Sequence, residues 1–146
     1  MKIAIACDHG ALALKNAVIA HLEKQGYEMV NFGTDTLDSC DYPDYAAAAA
    51  KAVAAGECEK GIVLCTTGIG VSIVANKVDG IRCALLSDKM SARLTREHND
   101  TNMMAMGAGV VGQMLALEIV DTWVGTEFSH NERHQRRIDK VMALEK

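Results

Sequence analysis
The sequence predicts a single-domain α/β protein: a Rossmann-like three-layer sandwich with a five-stranded parallel sheet and an extra C-terminal helix. Three observations carry this. The 146 residues fit one domain, residues 1–146, with no room for a second. Short apolar runs that end in turn residues alternate with amphipathic or strongly helix-forming stretches. Strands alternating with helices in this way mean a parallel sheet covered on both faces. Finally, the chain is 49% hydrophobic but only 4% aromatic. Its core is therefore aliphatic, which suits helices lying closely on a sheet.

The elements follow in order. Lys2–Cys7 is an apolar run closed by Asp8-His9-Gly10, a buried strand and its turn. Leu12, Leu14, Val18, Ile19 and Leu22 have helical spacing, and the helix stops near Gly26. Tyr27–Phe32 is a second strand, closed by Gly33. After an Asp-rich loop, the only proline, Pro43, sits at the start of a helix over Asp44–Ala55. Gly61–Cys65 is a third strand, the loop Thr66-Thr67-Gly68-Ile69-Gly70 follows, and Val71–Asn76 is a short helix. Arg82–Leu86 is a fourth strand. Lys89–Glu97 is a helix with Ser87 or Asp88 as N-cap. Asn102–Met106 is the fifth strand, and helices over Gln113–Val124 and Glu132–Leu144 complete the chain.

Composition excludes several classes. Charged residues at 23% and abundant apolar ones exclude a disordered chain. The net charge of −4 argues against non-specific nucleic-acid binding, although a local basic cluster can still hold a small anion. Cysteines stand at 7, 40, 58, 65 and 83. The odd count without a CxxC speaks against a disulfide scaffold, a zinc knuckle or a thioredoxin-like site. The apolar run before Asp8 is short for a signal-peptide core. No stretch approaches the roughly 18 apolar residues of a membrane span. The expected home is a reducing cytoplasm.

In open α/β sheets, ligands bind at the carboxyl ends of the strands. Two segments there carry reactive side chains. In Cys65-Thr66-Thr67-Gly68-Ile69-Gly70, glycines let backbone N–H groups approach a ligand just as a helix begins, the arrangement that holds an anion or oxyanion. Cys65 stands at that positive end, as base or nucleophile; the bland alternative is a buried strand-end cysteine. Asp8-His9 offers a carboxylate and an imidazole, or simply a turn. His98-Asn99 either contributes chemistry or marks a helix end. Arg133 and Arg137, four apart on one helical face with Arg136 beside them, suit a phosphate or form a solvated stripe.

Two motifs are set aside. His130 and His134 share helical spacing, but the acid between them is not where a zinc-protease motif places it, and no metal site is expected. Gly107-Ala108-Gly109-Val110-Val111-Gly112 is formally GxGxxG, yet it follows the fifth strand rather than the first, so it reads as tight strand–helix packing.

These pieces together resemble the ribose-5-phosphate isomerase B family, which also includes the galactose-6-phosphate isomerase subunits. The resemblance spans Lys2–His9, Asp41-Tyr42-Pro43, Gly61–Gly70, Ala75-Asn76-Lys77, Arg96–Asp100 and Arg133-His134-Gln135 with Arg137. It implies a cofactor-free aldose–ketose isomerase acting on a small sugar phosphate, without a nucleic-acid or membrane partner. Cys65 would move a proton between C1 and C2, and the amides of Thr67, Gly68, Ile69 and Gly70 would stabilise the enediolate. His98 would open the sugar ring. Asp8 and Asn99 would hold hydroxyls, and His9, Arg133 and Arg137 would bind the phosphate. The family assembles as dimers or tetramers with sites at the subunit interface, so a homodimer or homotetramer is expected in which His98 and the arginines serve a neighbour's Cys65.

Two departures bear on the substrate. Thr66 stands where the family commonly has glycine, narrowing or re-aiming the site. Gly109 stands where an arginine is common, which adds room for a longer sugar; whether Arg136 or Arg82 replaces that arginine is a question the sequence leaves to the structure. The expected substrate is ribose 5-phosphate. The alternative within the class is a hexose 6-phosphate of the allose or galactose type, and the alternative outside it is a non-catalytic nucleotide- or sugar-phosphate-binding module.

Overall fold
The computed structural model describes residues 1–145. Strands β1 (Lys2–Cys7), β2 (Glu28–Asn31), β3 (Lys60–Cys65), β4 (Cys83–Leu85) and β5 (Met103–Gly107) form one parallel sheet in the order β2-β1-β3-β5-β4. Six helices cover it: α1 (Leu12–Lys24), α2 (Tyr42–Ala54), α3 (Ile69–Asn76), α4 (Lys89–Asn99), α5 (Gln113–Gly125) and α6 (Glu132–Met142). A single 3-10 turn, His9–Ala11, links β1 to α1.

The period-two alternation of a strand sorts each strand's side chains between two cores. Ile3 and Ile5 join Ile62, Leu64, Met104 and Met106 under α1 and α5, with Trp123 buried among them. Ala4 and Ala6 join Val63 and Ala105 on the other face, under α2 and α3. That face is alanine against alanine, Ala46, Ala49 and Ala50 of α2 included, so this helix lies close to the sheet. Burying each large apolar side chain stabilises the fold by roughly 1.5–3 kcal/mol. Trp123 keeps its polar atom satisfied: its Nε1–H donates to Thr101 Oγ1 at 3.0 Å.

Most boundaries depart slightly from the sequence reading, two departures matter, and one open choice of cap is decided. Helix α3 begins at Ile69, two residues earlier than Val71, because Gly68 rather than Gly70 breaks the chain direction. Helix α4 continues to Asn99, so His98 and Asn99 belong to its last turn. Asp88, not Ser87, caps α4, with its Oδ1 accepting from the Ser91 N–H at 2.6 Å. Because β1 lies between β2 and β3, the winding reverses at β1, and the crevice of the sheet opens between the carboxyl ends of β1 and β3.

Candidate active site
Asp8, at the end of β1, is buried and caps the 3-10 turn, its Oδ1 accepting from the Gly10 N–H at 2.9 Å. His9 is half-buried. Its Nδ1 accepts from the Cys40 N–H at 3.3 Å, which leaves Nε2 as the ring's own donor. The loop after β2 that leads to Cys40 is tied down by Lys15, a fully buried lysine of α1. Its Nζ donates to Asn31 Oδ1 (3.2 Å), Thr34 O (2.6 Å) and Asp35 Oδ1 (2.6 Å). The hydrogen bond from Lys15, then that from Asn31, hold the Asp35 carboxyl below its usual range.

Cys65 ends β3, 6% exposed, and its Sγ accepts from the Gly68 N–H at 3.1 Å. The turn is possible only because residue 68 is glycine. Its φ is +79°, and a β-carbon there would lie 2.7 Å from both Leu85 Cδ1 and the Met106 carbonyl carbon. The sulfur thus sits at the positive N-terminal end of α3. The Ile69 N–H donates to Thr67 Oγ1 at 3.2 Å. Two of the four amides expected to face a ligand, those of Gly68 and Ile69, are therefore engaged within the turn, and those of Thr67 and Gly70 are not so engaged. The ring of Tyr42, at the start of α2, closes over Gly70, where a β-carbon would lie 2.6 Å from it.

The other predicted residues lie at the opposite edge. Helix α4 starts beyond the carboxyl end of β4 and runs eleven residues back across the sheet, about 16 Å at the helical rise. His98 and Asn99 therefore emerge beside the amino ends of β4 and β5. There they line a groove of about 1080 Å³ together with Arg133 and Arg137 of α6. Both arginines are exposed, and neither has an acidic partner among the described residues. The His98 ring faces His134, centroids 4.3 Å apart, and His134 Nδ1 is 2.7 Å from Ser129 Oγ. The end of α4 is held by buried Arg96, which donates to Asp100 Oδ1 (2.8 Å), Thr101 O (2.6 Å) and Thr126 O (3.1 Å).

The structure thus gathers Asp8, His9 and Cys65–Gly70 into one half-site and His98, Asn99, Arg133 and Arg137 into another, and it separates the two halves within the chain. Several sequence expectations need correction. His130 and His134 do not share a helical face, because α6 starts at Glu132 and His130 precedes it with φ +56°. Within one chain, neither Arg82 nor Arg136 is placed beside Gly109. Arg82 is committed to Asn99 O (2.9 Å) and Asp100 O (2.7 Å), while Arg136 lines a different surface hollow. The glycines at 107 and 109 do serve close packing, but against the loop after β3 and not against a helix, while Gly112 has open space around it. Cys40, Tyr42 and Lys15 were missed as parts of the first half-site. Lys15, a lone charge on the apolar side of a helix, and Tyr42, within the Asp41-Tyr42-Pro43 piece of the resemblance, carried signals readable in sequence.

The fold and this edge define a small α/β protein with a thiol, a carboxylate and an imidazole gathered around a helix N-terminus at the topological switch point. The chain belongs to the Ribose/Galactose Isomerase family, which it matches over residues 3–141. It is 47% identical over 144 residues to ribose-5-phosphate isomerase B of Escherichia coli, covering 99% of this chain and 96% of that protein. The structure superposes on ribose-5-phosphate isomerase B of Clostridium thermocellum with a TM-score of 0.96 at 50% identity, covering 99% and 97% of the two chains. It also superposes on the Mycoplasma genitalium ribose-5-phosphate isomerase B with bound ribulose 5-phosphate, with a TM-score of 0.93 at 36% identity over 97% and 94% of the chains.

Proposed function
We propose that this chain is an aldose–ketose isomerase that interconverts ribose 5-phosphate and ribulose 5-phosphate. The observation that carries the reading is Cys65 Sγ at the carboxyl end of β3, held by the Gly68 N–H at 3.1 Å on the N-terminal end of α3. A thiolate there removes the proton from C2 of the open-chain aldose and returns it to C1. The negative charge that builds on the sugar oxygens meets the amides of Thr67 and Gly70. Asp8 and Asn99 hold hydroxyls, and His98 protonates the ring oxygen to open the sugar. His9 donates to the phosphate from Nε2, and Arg133 and Arg137 neutralise it. Since the two half-sites lie at opposite edges of one chain, a second copy completes each site, in a homodimer or larger homo-oligomer. All five cysteines are free, in keeping with a reducing cytoplasm.

The six-carbon alternative is motivated by Thr66 and Gly109 together, and Thr66 narrows the space at Gly109: a β-carbon there would lie 3.1 Å from Thr66 Cγ2. The test is a panel of sugar phosphates assayed for isomerisation with the wild type and Cys65→Ala. Turnover is expected on ribose 5-phosphate, and in the variant it is lost while sugar-phosphate binding persists, since a base acts mainly in the transition state. Unchanged turnover in Cys65→Ala rejects the mechanism, and binding without turnover in the wild type favours a binding module.

A further inference from the structure
Thr66 is the residue directly after Cys65, and its side chain is exposed at the mouth of the crevice. Its backbone is fixed, since Thr66 O accepts from the Gly109 N–H at 2.9 Å. Its side chain spans the gap between the loops that follow β1 and β5. A β-carbon on Gly10 would clash with Thr66 Oγ1, and Asp8 Oδ1 lies 3.2 Å from that same point. On the other side, Thr66 Cγ2 lies 3.1 Å from where a β-carbon on Gly109 would be. The two flanking positions are glycine, and both are exposed, so neither adds a side chain beside that of Thr66. The hydroxyl lies near the Asp8 carboxylate, and the methyl packs beside Gly109.

From this we infer that Thr66 determines which sugar phosphates the site accepts. It sets the chain length by filling, beside the reacting carbons, a volume close to that of one CHOH unit. This inference rests on the isomerase reading above. With the phosphate held at one end and Cys65 at the other, an added carbon must go somewhere, and Thr66 occupies the nearest place. Its hydroxyl, next to Asp8, is placed to bond a sugar hydroxyl. A group lost from a shaped pocket of this kind changes selectivity by about tenfold or more.

The experiment compares kcat/KM for ribose 5-phosphate and for an aldohexose 6-phosphate in the wild type, Thr66→Gly, Thr66→Ser and Thr66→Val, each checked for a native circular dichroism spectrum and melting curve. Thr66→Gly is expected to shift the six- to five-carbon ratio toward the hexose by about tenfold or more. Thr66→Ser, which keeps the hydroxyl, is expected to shift it less. Thr66→Val, which keeps the shape, is expected to hold the ratio while raising KM for both sugars. A Thr66→Gly ratio within about twofold of the wild type, in a folded protein that turns over ribose 5-phosphate, overturns the inference and leaves the isomerase reading intact. A wild type that isomerises no sugar phosphate overturns both. If Thr66→Gly fails to fold, the ratio in Thr66→Ser decides, and a value unchanged from the wild type overturns the inference.

Discussion
At the scale of single residues, His98 and His134 face each other beside Arg133 and Arg137, yet they differ in their surroundings. Burial, followed by the nearby charges of His98, Arg133 and Arg137, lowers the pKa of His134 below its ordinary 6.5. A histidine whose folded pKa is depressed binds fewer protons in the folded than in the unfolded chain. Its effect on stability is absent above pH 6.5 and becomes a loss as pH falls from there toward the folded value. The melting temperature is therefore expected to drop more steeply between pH 7.5 and pH 5.5 in the wild type than in His134→Gln. Parallel slopes in calorimetry would show that His134 is not the group responsible. Burial also pushes the Cys7 thiol up to about 11 and the Cys83 thiol up to about 12. These two cysteines are thus protonated at neutral pH and poor nucleophiles. The sequence set Cys65 apart by the glycine loop and helix that follow it, and the burial of Cys7 and Cys83 follows from the packing around them.

At the scale of elements, the turn from β3 into α3 concentrates the constraints. Gly68 combines a positive φ with crowding from Leu85, Met106 and Gly107, whereas Gly26 has a comparable φ of +92° and nothing within 4 Å of a β-carbon. Gly68→Ala and Gly26→Ala therefore share the conformational penalty of about 1 kcal/mol, and only the first adds a clash. Gly68→Ala is expected to lower the melting temperature well beyond Gly26→Ala and to cut kcat, because the Gly68 amide is the donor to Cys65 Sγ. Equal losses in the two variants, measured by thermal denaturation and initial rates, would contradict this account. The strands themselves were legible because buried parallel strands are continuous apolar runs, and Lys60–Cys65 is buried throughout. The 3-10 turn at His9–Ala11 was not legible. It depends on the Asp8 cap, a local hydrogen bond with no periodic signature. The sequence ends α4 at Glu97 because His98, Asn99 and Asp100 look like a helix stop. Arg96, bonded to Asp100 and Thr101, extends the helix by anchoring its end.

At the scale of the whole molecule, the separation of the half-sites is the consequential feature. If a two-fold dimer pairs Cys65 of one copy with His98 of the other, two inactive variants complement each other. Cys65→Ala and His98→Asn, mixed in equal amounts, unfolded and refolded together, form mixed dimers in which one site carries both mutations and the other none. With random pairing, about a quarter of wild-type activity is expected. Activity no greater than the sum of the separately refolded variants would place both groups in one chain's site and reject the shared arrangement. Tetramers built from such dimers give the same fraction, so the measurement tests the sharing itself.

The sequence by itself determined the layers, the number of strands, and the chemical types present at the site. It could do so because hydrophobic periodicity, turn glycines and reactive residues at strand ends are local properties of the chain. It also placed Cys65, Asp8 and His9 at strand ends, which the parallel architecture then brought to one edge. Only the tertiary structure decided that His98, Asn99, Arg133 and Arg137 lie at the other edge, that Lys15 and Cys40 brace His9, and that Thr66 fills the space beside Gly109. Each of these depends on contacts between residues far apart in the chain, which are set by the strand order and by the direction in which α4 recrosses the sheet.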